Sequence, residues 1–212
     1  MQYLSQRLAS KPALKRGKGP APGVAAAPQR ERILDASERL IAERGCAGAS
    51  IEAIVKAAGV SSVTFYEFFD GKEECFVAAF DRAIEAAAAE LEQAVGAQTP
   101  WPEQVSTGLR ALLAMIAADP ARARLCLVEA QTGGPELSAH FEAALDRVAL
   151  KLRDGRTLET APPALPATHE EATAGSLGWL LREHLERGGE DRVEALYPKL
   201  VDIALAPYLG DG

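Results

Sequence analysis

Residues 61–72 concentrate side chains that can bind rather than react. Ser61, Ser62, Thr64 and Tyr66 carry hydroxyls and Lys72 an ammonium. Phe65, Tyr66, Phe68 and Phe69 stand within five positions of a 212-residue chain that has six Phe, four Tyr and two Trp in all. Hydroxyl and ammonium groups can meet phosphate oxygens or base edges, and the methyls of Val63 can touch a thymine methyl. On a helix, Phe65 and Phe69 are i, i+4 and pack inward with Val60, which leaves Ser62, Val63 and Tyr66 on the other side. Small residues there permit close approach to a groove. Tyr66 joins a flat apolar body to a terminal hydroxyl, so it can pack and still reach a phosphate. Lys72 falls in the first turn of the next helix, where the macrodipole disfavours a cation; a phosphate docked on that helix end reverses the sign. Ser50, at the start of an earlier helix, has free N–H groups beside it for the same purpose.

No arrangement for bond-making chemistry accompanies these residues. The chain has no GxSxG, HExxH, P-loop or GxGxxG pattern. His140, His169 and His184 lack metal-ligand spacing and no cysteine pair stands at CxxC, so we expect no metal, no cofactor and no enzyme activity. An enzyme on a helical bundle is the rival class. Cys46, Cys75 and Cys126 are odd in number and widely spaced, which fits a reduced, cytoplasmic compartment. The N-terminus lacks the apolar stretch of a secretory signal, and the longest apolar run, 111–118, is far short of a membrane span. Net charge is −7, yet residues 1–30 hold six Lys/Arg and no acid, and residues 1–74 hold eleven Lys/Arg against nine Asp/Glu. The acidic excess therefore lies C-terminal, and a basic front can still approach phosphate.

The elements that would position these groups read as helices throughout. Residues 1–27 are rich in Lys, Gly, Pro and Ala and read as a disordered basic tail. From Pro28, the positions Ile33, Ser37, Leu40, Ile41 and Arg44 follow helical spacing up to Gly45. Ser50 caps a second helix, with Ile51, Ile54, Val55 and Ala58 on one face and Gly59 as its stop. Ser61 caps a third. Asp70 and Glu73 form a capping-box pattern for a fourth, which runs to Gly96. Further helices are expected over 102–118, 121–131, 135–154, 168–187 and 191–209, with a Pro-rich linker at 161–167. The fold class is all-α with about nine helices. Two short helices joined at Gly59, about 51–69, make a helix-turn-helix whose second member enters the major groove.

The run "VSSVTFYEFFDGKEE" resembles the signature of the TetR family of transcriptional regulators, a T-x-Y-x-x-F helix followed by a loop and a Lys-Glu pair. Here these are Thr64, Tyr66, Phe69, Lys72 and Glu73. The similarity begins near Pro28 and is most specific over 50–80; "LAPYLG" at 205–210 also resembles the end of many members. The resemblance implies a DNA-binding domain over 28–88 and a ligand-sensing, dimerising domain over 89–212. It implies a homodimeric repressor of a palindromic operator, released by a small molecule. A ligand-independent regulator or an activator is the alternative. The DNA-binding set is then Ser50, Ser61, Ser62, Val63, Thr64, Tyr66, Phe68 and Lys72. Two positions depart from the family. Glu67 puts a carboxylate on the recognition helix, and Phe68 stands where many members have His or Tyr.

For a sensor domain, Trp101, Met115, Phe141 and Trp179 are large side chains among many alanines, which leaves room for a cavity. Glu129 and His184 are the polar candidates there. The acidic back half favours an apolar or cationic effector. For the dimer, Ala174, Leu177, Gly178, Leu181 and Leu185 share one helix face, and Leu196, Leu200 and Ile203 lie on the next helix. We expect these two helices to pair with their symmetry mates.

Overall fold

The computed structural model describes residues 26–96 and 99–209, and every regular element among them is a helix. In chain order these are α1 (Ala26–Gly48), α2 (Ile51–Ala58), α3 (Ser62–Phe68), α4 (Lys72–Ala94) and α5 (Trp101–Ala118). α6 covers 120–132, α7 is Pro135–Arg153, α8 is His169–Glu186 and α9 is Tyr197–Leu209. Short 3-10 turns follow α7 (Asp154–Thr157) and precede α9 (Glu190–Leu196). Among the described residues the class is all-α with nine helices, against an expectation of about nine. The expected tail lies outside the described residues up to 25, as does Gly210; Ala26 and Ala27 already belong to α1. No helix described is long and apolar enough to cross a membrane.

Local chemistry sets most of the boundaries. Gly59 ends α2 in the left-handed region (φ 63°), with its N–H on the Lys56 carbonyl and that of Val60 on Val55. A residue without a side chain adopts that conformation at no steric cost. Ser61 caps α3 by accepting the Thr64 N–H at 3.0 Å. The start of α4 differs from the Asp70/Glu73 expectation. Gly71 is its N-cap, in extended backbone and without a side chain, and the Glu74 carboxylate reaches back to the Asp70 N–H at 2.6 Å. Only the acidic half of a capping box remains, shifted by one residue. α6 is not uniform: Pro120–Arg124 is α-helical, Leu125–Glu129 is a π-helical turn, and Ala130–Thr132 resumes the α-helix.

Two apolar cores result. The first gathers Ile33, Leu34, Ile41, Ile54, Phe65, Phe69, Phe76 and Phe80 from α1–α4, then takes Leu125 and Ala130 of α6 with Leu137 and Phe141 of α7. The second joins Leu109, Leu113 and Ile116 of α5 to Leu177, Leu181 and Leu185 of α8 and Leu200 and Ala204 of α9. α4 runs unbroken through residue 88, so the front and back of the chain share a helix as well as a core. Arg82 on α4 meets three carboxylates of α1, Glu31, Asp35 and Glu38, at 2.7, 2.8 and 2.6 Å. Asp81 and Glu85 pair with His140 and Arg147 of α7, at 2.7 and 2.8 Å. These pairs fix α4 against its neighbours on both sides.

The segment between α7 and α8 is tied down by a charged knot. Arg156 grips both oxygens of the fully buried Glu170 at 2.7 and 2.8 Å, and Tyr208 donates to the same carboxylate at 2.9 Å. Arg156 also donates to the Leu165 and Pro166 carbonyls. Burial opposes the Glu170 charge, but the hydrogen bonds from Arg156 and Tyr208 outweigh it and lower its pKa to about 2.

Candidate nucleic-acid interface

α3 is short, and its presentation depends on two anchors. Phe65 is fully buried and Phe69, its C-cap, nearly so; their ring centroids lie 5.5 Å apart. With those rings in the first core, the opposite side is left in solvent. Val63 is 72% exposed and Tyr66 56%, and Ser62 and Glu67 are exposed with them. Val63 and Tyr66 thus stand as exposed apolar side chains on a helix anchored from its other side. The Tyr66 ring leans edge-on against Phe65 at 5.5 Å, which restrains its direction. Phe68 is half-buried and packs against the first core, so it faces less outward than Tyr66.

The hydroxyls of this region divide into two groups. Ser61 Oγ accepts the Thr64 N–H and lies 3.0 Å from Thr64 Oγ1. Ser50 Oγ accepts the Ala53 N–H at 3.3 Å, as the cap of α2. These three build helix starts. Ser62 stands outside that arrangement, next to Val63 and Tyr66. Lys72 begins α4 and is half-buried. Its Nζ donates to the Cys46 carbonyl at 3.4 Å and stands 5.9 Å from the Phe76 ring centre. The lysine is therefore held rather than free to wander, beside the end of α3. Arg30, from α1, lies 5.6 Å over the Phe69 ring and braces the same corner.

The six effector candidates stand in different surroundings. The Trp101 ring covers Gly155, meets Tyr208 at 4.9 Å, and its Nε1 donates to the Lys151 carbonyl. Met115 is half-buried on α5. Glu129 accepts the Cys46 N–H at 2.8 Å, in the front half of the protein. Phe141 is in the first core. His184 lies against Gly189, where an added Cβ would come within 2.5 Å of its ring. Trp179 is 57% exposed and, with Ala172, Gly175 and Ser176 of α8 and Lys199 and Ile203 of α9, lines an open groove of about 480 Å³.

The expected dimer face needs correction. Ala174, Leu177, Gly178, Leu181 and Leu185 are all buried inside the protomer, and so is Leu200. Gly178 does permit close helix approach, but to α7 of the same chain: a Cβ there would lie 3.3 Å from Leu145 and 3.9 Å from Phe141. The leucines complete the second core instead of an interface. Leu196 and Ile203 are half-buried against that core. What α8 and α9 turn outward is the opposite face, with Trp179 at its centre.

The thiols offer no reactive group. Burial pushes Cys46 up to about 12, helped by the Glu129 carboxylate, and pushes Cys126 to about 12 and Cys75 to about 11. All three stay protonated and inert at neutral pH. The contact that sequence spacing could not reveal is Glu129 with Cys46, since no local pattern links residues 83 positions apart.

Comparison with known proteins agrees with this geometry. Residues 33–79 match the family described as "Bacterial regulatory proteins, tetR family". An uncharacterized HTH-type transcriptional regulator of Mycobacterium tuberculosis is 30% identical over 112 residues. That match covers 53% of this chain and 55% of the relative, so it spans about half of that protein. The fatty acid degradation regulator FadR from Bacillus halodurans has a similar structure, with a TM-score of 0.73 at 21% identity over 88% of this chain and 97% of its own. FadR from Bacillus subtilis, solved with stearoyl-CoA, gives a TM-score of 0.70 at 18% identity, over 84% of this chain and 98% of its own. At these identities the likeness to the two structures is one of fold.

Proposed function

We propose that the chain is a repressor of the TetR family, whose model its residues 33–79 match. It binds a palindromic operator as a homodimer and leaves DNA when a small molecule occupies its C-terminal half. The observation that carries the reading is α3, whose Phe65 and Phe69 are sunk in the core while Ser62, Val63 and Tyr66 face outward. In this reading Ser62 and Val63 meet base edges, and Tyr66 and Lys72 meet phosphate. Ser50, Ser61 and Thr64 order the helix starts that approach the backbone, and Phe68 fixes the pitch of α3. A two-fold dimer sets two such helices in successive major grooves, about 34–36 Å apart.

The outward face of α8 and α9 supports the dimer. Trp179 stands beside Ala172, Gly175 and Ser176, and a large aromatic beside small residues can complement its own copy across a two-fold axis. The effector in this reading is apolar or cationic. The stearoyl-CoA bound by the fold-similar regulator puts acyl chains first among ligands to screen. The ligand acts only through unequal affinity for the DNA-fitting and non-fitting forms. As a regulator of transcription the protein works in the cytoplasm.

The test is enrichment of binding sites from a randomised duplex library. An inverted repeat bound by a dimer supports the reading. Recovery of no sequence preference ends it. Titrating the bound duplex with acyl-CoAs and with cationic apolar compounds then examines release.

A further inference from the structure

Cys46 is gripped through both its backbone polar groups by side chains distant in sequence. Its N–H donates to Glu129 Oε2 at 2.8 Å, and its carbonyl accepts from Lys72 Nζ at 3.4 Å. The preceding residue makes room for the first contact. Gly45 breaks the course of α1 with φ 70° and ψ 167°, and a Cβ on it would lie 3.1 Å from Glu129 Oε2. Gly133, just beyond Glu129 on α6, closes against Cys46 Sγ, where a Cβ would sit at 2.9 Å. Glu129 itself is the last residue of the π turn, a local departure from α geometry of the kind found at functional positions.

We propose that Glu129 is a positioning residue for DNA binding. It fixes the backbone at Cys46 from the N–H side, and the carbonyl of that residue, one peptide unit on, holds the Lys72 ammonium at the start of α4, so the sensing half sets the posture of a lysine beside the recognition helix. This rests on the DNA-binding reading given above. A lysine ammonium has three donors; the Cys46 carbonyl takes one and leaves the others for a phosphate. The π turn supplies the movable part. A change of register by one residue turns a side chain by about 100° around the helix axis, enough to take Glu129 off the Cys46 N–H.

The experiment uses the full chain and a duplex enriched by the wild-type protein, with Lys72→Ala, Glu129→Ala, the double variant and Glu129→Gln. Lys72→Ala is expected to weaken binding about tenfold and Glu129→Ala about three- to tenfold, the net worth of one ordinary hydrogen bond. The double variant binds no more weakly than Lys72→Ala, because the two changes remove one interaction. Glu129→Gln keeps an acceptor oxygen and stays within about twofold of wild type. Exchange of the Cys46 amide, read by NMR, accelerates in Glu129→Ala and not in Glu129→Gln. If Glu129→Ala does not fold, the shorter Glu129→Asp replaces it in the cycle. Additive losses, or a Glu129→Ala protein that binds like wild type while Lys72→Ala is impaired, overturn the coupling and leave the DNA-binding reading intact. An unimpaired Lys72→Ala overturns the coupling together with the phosphate role given to Lys72.

Discussion

Phe65 and Tyr66 are neighbours in sequence with opposite assignments, and truncating each in turn separates fold from binding. Phe65 is fully buried and touches the rings of Tyr66 and Phe69, each with centroids at 5.5 Å. Phe65→Ala should cost about 3–5 kcal/mol through the lost transfer energy and the cavity left behind. For a chain of this length, about 2–4 °C per kcal/mol makes that a fall of about 10 °C in melting temperature. Tyr66 is 56% exposed, so Tyr66→Ala should change stability by about 1 kcal/mol or less, which is at most its edge contact with Phe65. Its DNA affinity should fall about tenfold, the worth of one phosphate hydrogen bond and its packing. Thermal melting followed by circular dichroism gives the first quantity and fluorescence anisotropy with labelled duplex the second. If Tyr66→Ala melts as low as Phe65→Ala, the ring is structural and the outward face is misread. If Tyr66→Ala is stable and binds like wild type, the contact with DNA is refuted.

Trp179→Glu should leave the melting curve of the protomer nearly unchanged and produce monomers in sedimentation at micromolar concentration, because the ring projects from the outward face of α8; a dimer that survives the charge places the interface elsewhere. Glu170 has its folded pKa lowered from 4.5 to about 2, so its contribution is present above the unfolded value and is lost as pH falls from about 4.5 to 2. Glu170→Gln should flatten that acid limb and cost up to about 3 kcal/mol at pH 7 in denaturant unfolding; an unchanged limb would mean the knot does not hold its charge. Gly45→Ala should destabilise by about 1–3 kcal/mol, from a positive φ and from crowding of Glu129, and an unaffected melting temperature would contradict the geometry at that turn.

How far the sequence could be read depended on the range of the interaction. Helix ends are local events. Ser61 before α3, Gly59 after α2 and Gly133-Gly134 after α6 carry their reason within a few residues, and all fell where spacing and capping chemistry put them. The start of α4 was a near miss of the same kind, since Asp70 and Gly71 compete for one cap and only the reach of Glu74 decides. The inward side of α8 was not legible. Ala172, Gly175, Ser176 and Trp179 have the same helical spacing as the leucine-bearing face. What chooses between them is Leu145 and Phe141 from α7 and the leucines of α5 and α9. The surroundings of the effector candidates were illegible for a like reason. Large residues among alanines look the same whether they line a cavity or fill one, as Trp101 does over Gly155. Lys72 was singled out for its place against the helix dipole, but its carbonyl partner comes from a turn 26 residues earlier.

The π turn at Leu125–Glu129 bears on descent and on mutagenesis by deletion. Such a turn holds one residue more than an α turn of the same length, so α6 has the form of an ordinary helix that absorbed a single inserted codon without shifting the helices around it. Removing one residue between 125 and 128 would heal the helix and keep the first core packed on one side of the cut. It would also rotate the side chains on the other side by a step that no substitution can imitate. A one-codon deletion series across this stretch is thus a register ruler: it leaves composition almost untouched and changes which residue faces Cys46 together with the facing of the side chains on one side of the cut.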